Sequence, residues 1–168
     1  MKPIELAKKW VKDNGRNGSV GFIYIDIDNL AIHNQSFGHD IGDQTITRIF
    51  KVIKQSLVKY NADCFRVGDD ELLVLVVGND SERTFDIAKA LNGSILDLEI
   101  TLDEKENLMY FKLKGLEYPN FVSVSTGAYI TTVRESWREW FDVAVELSEK
   151  SCYFAKFGGK NRVAKIEF

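Results

Sequence analysis

The segment at residues 19–28 constrains this chain more than any other. Val20, Phe22 and Tyr24 alternate with Gly21, Ile23, Ile25 and Ile27, so a strand here carries apolar side chains on both faces. Such a strand belongs in the middle of a sheet, with packed layers above and below it. It ends in Tyr24-Ile25-Asp26-Ile27-Asp28. Period-two geometry puts Asp26 and Asp28 on one face. Burying two carboxylates side by side costs free energy unless a cation neutralises them. Two readings of this segment stand: hard oxygen ligands for a divalent cation such as Mg²⁺, or a strand end whose aspartates face water.

The rest of the chain bounds the setting. Its 168 residues predict a single domain, with residues 1–18 as a lead-in helix and turn. A net charge of −3 argues against a partner such as a nucleic-acid duplex, which calls for a basic face. Apolar runs such as 20–25 and 72–77 are far shorter than a membrane span, and the acid and lysines after Met1 break any signal-peptide core. No membrane association and a cytoplasmic location are expected. Cys64 and Cys152 sit in apolar segments and read as reduced core residues.

Pattern and punctuation predict the elements. A first amphipathic helix covers 3–13, with Ile4, Leu6, Ala7, Trp10 and Val11 on one side. After the central strand, a polar helical stretch runs to Phe37. Asp40 is the expected N-cap of the next helix, whose apolar face is Ile46, Ile49, Phe50, Ile53 and Leu57. Strands at 63–67 and 71–77 flank Gly68-Asp69, a two-residue hairpin signal. Ser81 caps a helix to about Leu91. A second hairpin is expected at 96–102 and 108–114, then a strand at 121–130. A long helix follows, lined by Trp137, Phe141, Ala144, Leu147, Ser151 and Phe154 and ended by Gly158-Gly159, before a closing strand at 161–168. The result is an α+β domain with a mostly antiparallel sheet.

Val67-Gly68-Asp69-Asp70-Glu71-Leu72 sets three consecutive acids at a tight turn, where they repel one another. If this hairpin neighbours the first strand, Asp26, Asp28, Asp69 and Asp70 converge on one metal site. Carboxylate-held Mg²⁺ together with a nucleotide's phosphates suits phosphoryl or nucleotidyl transfer. Lys156 and Lys160, four apart near the end of the last helix, either reach phosphates as point charges or complement the helix dipole in water.

Together these segments resemble a family. Asp26-Ile27-Asp28, Asn34 and Gly38-His39-Asp40-Ile41-Gly42-Asp43 come first, followed by Arg66-Val67-Gly68-Asp69-Asp70-Glu71-Leu72. Then come Val122-Ser123-Val124-Ser125-Thr126-Gly127 and Ala155-Lys156-Phe157-Gly158-Gly159-Lys160-Asn161-Arg162. In this order they resemble the GGDEF family of diguanylate cyclases over roughly residues 19–168. The resemblance implies a nucleotidyl cyclase, palm-like fold: a central, mostly antiparallel five-stranded sheet flanked by helices, here with an extra β-hairpin.

It also implies chemistry. Asp26, Asp70 and Glu71 match the catalytic acids. Asp26, the Ile27 carbonyl and Asp70 match the ligands of two Mg²⁺ (or Mn²⁺) ions, with Asp28 and Asp69 as further candidates. Asn34 and Asp43 match the guanine readers; a carboxylate can accept from guanine N1–H and N2–H, which adenine lacks. Lys156 and Lys160 match the phosphate-binding cations, and Gly68, Asn29 and Leu30 line the nucleotide. His39 matches a structural histidine. The implied reaction condenses two GTP into cyclic di-GMP across a homodimer, releasing pyrophosphate.

The chain departs from the pattern at Asp69 (usually glycine), Leu72 (phenylalanine), Ala31 (lysine) and Lys160 (arginine). Lys59 and Ala62 replace an Arg-x-x-Asp inhibitory pair, so product feedback there is not expected. With no sensor domain attached, dimerisation is expected to come from this domain or a partner protein. Two alternatives remain at this point. Asp26-Ile27-Asp28-Asn29 and Asp69-Asp70 also suit the related palm polymerases of CRISPR systems, which make cyclic or linear oligonucleotides, often from ATP. A degenerate GTP-binding regulatory module is the other.

Overall fold

The computed structural model describes residues 1–15, 18–96, 123–133 and 137–166. The elements, in chain order, are α1 (Pro3–Asn14), β1 (Ser19–Ile27), α2 (Leu30–Phe37), α3 (His39–Leu57), β2 (Ala62–Arg66), β3 (Glu71–Val77), α4 (Ser81–Leu96), β4 (Val124–Thr132), α5 (Trp137–Phe157) and β5 (Arg162–Lys165). The strands form one five-stranded sheet in the order β2-β3-β1-β4-β5. All neighbours are antiparallel except β4 and β5, which run parallel because α5 crosses between them.

The two-faced strand is central, as its pattern requires. Ile23, Ile25 and Ile27 face a core shared with α3 and α4, including Ile46, Ile49, Ile53, Ile87 and Leu91. Val20, Phe22 and Tyr24 face a second core with α1 and α5, including Ala7, Val11, Trp140, Phe141 and Ala144. Each fully buried aliphatic side chain here contributes about 1.5–3 kcal/mol of transfer free energy. Phe22 packs edge-on to both Trp140 and Phe141, with ring centroids 5.5 and 5.4 Å apart.

Gly127 lets α5 lie directly on β4. A Cβ at that position would come 2.1 Å from the backbone of Ser148 and Cys152. The small residues Ser148, Ser151 and Ala155 are buried at this crossing. Both cysteines are free and buried, as their sequence context suggests. Among the described residues no helix is long and apolar enough to cross a membrane.

Several local expectations change. The helix expected to open at an Asp40 cap starts at His39, after Gly38 at φ 88°. Asp80 rather than Ser81 caps α4: its Oδ1 accepts the Arg83 N–H at 2.7 Å. That helix continues to Leu96, consuming the start of the expected second hairpin; the rest of that hairpin lies outside the described residues. On the last helix Phe154 is 60% exposed, because the face that meets the sheet drifts through Trp140, Phe141, Ala144, Ser148, Cys152 and Ala155. Leu6 of the first helix is likewise exposed, since Ala7 and Val11 take the contact. Arg66 pairs with Leu72, and the N–H groups of Val67 and Gly68 both donate to the Glu71 carbonyl. The turn therefore takes in Gly68, Asp69 and Asp70, one residue more than the two-residue signal implies.

Candidate active site

The central strand and the β2–β3 hairpin bring the acids together. Asp26 lies opposite Glu71 in the β1–β3 ladder, and the Ile27 N–H donates to the Asp70 carbonyl at 3.0 Å. The hairpin is thereby held against the end of β1. Carboxylate oxygens of Asp26, Asp70 and Glu71 all lie within 4.8 Å of one another. Asp26 is buried; Asp70 and Glu71 are half-buried.

This cluster is electrostatically loaded. Burial, countered in part by Lys156 and reinforced by Asp70 and Glu71, pushes the Asp26 carboxyl up to about 6. Lys156 Nζ lies 2.5 Å from Asp26 Oδ2. Asp26 Oδ1 is buried without a hydrogen-bond partner. Three converging carboxylates, one with an unpaired oxygen and a raised proton affinity, fit a hard divalent cation.

Other expected metal ligands are placed elsewhere. Asp28 is buried, but its oxygens are taken by neutral donors: Ser125 Oγ at 2.7 Å, Ser123 Oγ at 2.7 Å and the Asn161 N–H at 3.0 Å. Asp69 is exposed and stands apart from the converging acids. Its carbonyl accepts Arg66 Nη2 at 2.9 Å, and the Gly68 carbonyl accepts Arg66 Nε at 3.3 Å. The side chain pairs with nothing that draws it toward Asp26, because the hairpin points it outward.

The expected nucleotide residues divide similarly. Lys156 sits in the cluster on the last turn of α5. Lys160 follows on the loop after that helix, and its Nζ lies 2.5 Å from Asn29 Oδ1. Asn29, Lys160 and Asn161 all have left-handed backbone, at φ 59°, 62° and 46°. For non-glycine residues this costs about 1–2 kcal/mol each, somewhat less for asparagine. Such strain concentrates at functional sites.

Asn34 packs against Gly42, the neighbour of Asp43: a Cβ on Gly42 would fall 1.7 Å from Asn34 Oδ1. That oxygen is buried and unpaired, while Asp43 is exposed on α3. A Cβ on Gly68 would lie 2.1 Å from Glu71 Oε2, so a larger residue there would push the Glu71 carboxylate aside. The Leu30 side chain is 6% exposed and belongs to the core beneath α2. His39 is exposed at the start of α3.

Sequence reasoning missed four participants. Tyr24 hydrogen-bonds Glu71, and burial together with Glu71 pushes its phenol well above the usual range. Its position two residues before Asp26, on the same face, was the available signal. Ser123 and Ser125 show the same period-two spacing at the start of an apolar strand. Asn161 lies in the last motif of the resemblance, but its side-chain type gave no sign of its contribution, which is a backbone N–H.

Comparison with known proteins places the fold and the family. The structure resembles the crystal structure of the GGDEF domain of DgcB from Caulobacter crescentus in complex with c-di-GMP, with a TM-score of 0.76 at 17% identity. The match covers 96% of this chain and 86% of that one, and shows the α+β fold. The family model "Diguanylate cyclase, GGDEF domain" matches residues 4–162, and the chain belongs to this family. It is 31% identical over 141 residues to the probable diguanylate cyclase DgcT of Escherichia coli, covering 83% of this chain and 27% of that protein. It is 26% identical over 146 residues to the uncharacterized protein YhcK of Bacillus subtilis, covering 86% of this chain and 36% of that protein. The chain thus spans little more than a third, at most, of these two relatives.

Proposed function

We propose that the chain is a divalent-metal-dependent nucleotidyl cyclase that joins two GTP molecules into a cyclic dinucleotide and releases pyrophosphate. The observation that carries this reading is the convergence of Asp26, Asp70 and Glu71 beside Lys156. These acids, with the Ile27 carbonyl, would hold two Mg²⁺ or Mn²⁺ ions. When bound, the metal would supply Lewis-acid stabilisation of charge on the α-phosphate and the pyrophosphate leaving group. The 3′-hydroxyl of each nucleotide forms a P–O bond to the other's α-phosphate and gives up its proton, while each α–β phosphoanhydride bond breaks and two pyrophosphates leave.

The chain's own residues orient these groups. Lys156 and Lys160 offer ammonium groups to the triphosphate. Asn34, with an amide oxygen paired to nothing, and Asp43 are the groups for the guanine edge. Tyr24 holds Glu71 by a hydrogen bond. One site binding one nucleotide must meet a second for two to be joined, so the active form is a homodimer. GTP as substrate agrees with a cytoplasmic location.

The test is a nucleotide panel. Purified protein is incubated with Mg²⁺ or Mn²⁺ and each of the four nucleoside triphosphates, with pyrophosphate assay and product mass analysis. Pyrophosphate release and a cyclic guanine dinucleotide are expected. Preferential consumption of ATP would favour the polymerase-like alternative, for which Asp69-Asp70 speaks. GTP binding without turnover under either metal would leave a regulatory binding module.

A further inference from the structure

We propose that Asp28 is a positioning residue that sets the 158–161 loop for phosphate binding, and not a metal ligand; the phosphate part rests on the nucleotide reading above.

Asp28 sits two residues beyond Asp26 on the same strand end, where spacing alone makes it an obvious metal ligand. The geometry assigns it other work. Oδ1 accepts Ser125 Oγ, and Oδ2 accepts both Ser123 Oγ and the Asn161 N–H. Its own N–H donates to the Ser123 carbonyl at 2.9 Å. The side chain is 5% exposed. Each Asp28 oxygen already accepts at least one hydrogen bond, so a metal there would compete with three donors for the same carboxylate.

The loop needs such an anchor. Gly159, Lys160 and Asn161 are consecutive left-handed residues, at φ 115°, 62° and 46°. Left-handed backbone is disfavoured for L side chains, so this path must be held from outside. The Asn161 N–H on Asp28 is such a tie. Beside it Lys160 Nζ reaches Asn29 Oδ1, on the residue that follows Asp28 and is itself left-handed. Paired contacts thus join Asp28-Asn29 to Lys160-Asn161. Ser125 faces Arg162 in the β4–β5 ladder, so the tie also includes the strand that begins right after the loop. Removing the Asp28 charge frees the loop and lets Lys160 leave the end of the sheet that carries Asp26.

The experiment compares wild type with Asp28→Asn and Asp26→Asn. Amide exchange at Asn161 is measured by NMR without ligand, Mn²⁺ affinity by calorimetry, and affinity for a non-hydrolysable GTP analogue at saturating Mn²⁺. For Asp28→Asn we expect faster Asn161 exchange, Mn²⁺ affinity within about twofold of wild type, and analogue affinity lower by about tenfold, which is ~1.4 kcal/mol. Asp26→Asn should lose Mn²⁺ binding and keep Asn161 exchange slow. Loss of Mn²⁺ binding in Asp28→Asn with unchanged exchange overturns the proposal. If wild type binds neither Mn²⁺ nor the analogue while Asp28→Asn still speeds exchange, the nucleotide reading fails and the loop anchor stands. Ser123→Ala removes one donor from the same carboxylate and carries the test if Asp28→Asn does not fold.

Discussion

Lys156 Nζ lies 2.5 Å from Asp26 Oδ2, joining the last turn of the C-terminal helix to the end of the central strand. The pair sits where Asp70 and Glu71 also converge, so the lysine offsets part of a local excess of negative charge. Its own ammonium is disfavoured by burial, yet the hydrogen bond and charge of Asp26 hold its proton more tightly than usual.

The first prediction concerns pH. The Asp26 carboxyl is raised from 3.8 to about 6 by burial, despite Lys156. A folded-state pKa above the unfolded value means the folded protein binds the proton more tightly. The associated stability is present below about pH 4 and is lost as pH rises from there through about 6. Without divalent metal, wild type should lose up to about 3 kcal/mol across that window relative to Asp26→Asn. Thermal melts of both proteins in chelator, from pH 4 to 7.5, check this. Parallel pH profiles would contradict it.

Asp70→Asn should abolish turnover while leaving the melting temperature without metal nearly unchanged. The substitution keeps the backbone carbonyl that accepts the Ile27 N–H, so the hairpin stays docked. It removes one charge from a repelling trio, and with it the stabilisation that added Mn²⁺ brings by binding only the folded state. Thermal shift with and without Mn²⁺ and the pyrophosphate assay separate these effects.

Asn34→Ala should separate binding from stability. Asn34 Oδ1 is buried without a partner, which destabilises the ligand-free fold. Removing the amide should leave unfolding free energy within ~0.5 kcal/mol of wild type, or raise it. If Asn34 reads guanine as proposed, GTP affinity should fall at least about tenfold while ATP affinity is unaffected. Equal losses for both nucleotides would show that Asn34 does not read the base.

Gly127→Ala tests the packing that holds Lys156 in place. The added methyl meets backbone of Ser148 and Cys152 at 2.1 Å, and backbone yields little. We expect a destabilisation of about 1–3 kcal/mol or more in urea unfolding. Displacement of α5 should also lower activity at temperatures where the variant is still folded.

Much of the fold was readable because burial leaves a periodic trace. β1 is apolar on both faces and is central; Ile46, Ile49, Ile53 and Leu57 recur at helical spacing and are buried. The parts that failed depend on short-range geometry with no periodic trace. The Gly38 start of α3 and the Asp80 cap are decided by single backbone angles and hydrogen bonds. Phe154 was misplaced because the buried face of a long helix drifts along its axis.

By itself the sequence determined the order of the described elements outside the second hairpin, and the central strand, and it pointed to acids and lysines suited to metal and phosphate chemistry, since composition and period are local properties of a chain. Strand period and side-chain chemistry alone could not tell Asp26 from Asp28: both share one face of one strand end and carry the same group. Only the tertiary structure separated them, by bringing Asp70, Glu71 and Lys156 to the first and Ser123, Ser125 and the Asn161 N–H to the second. A carboxylate's role follows from the partners that surround it, and those partners come from segments far away along the chain.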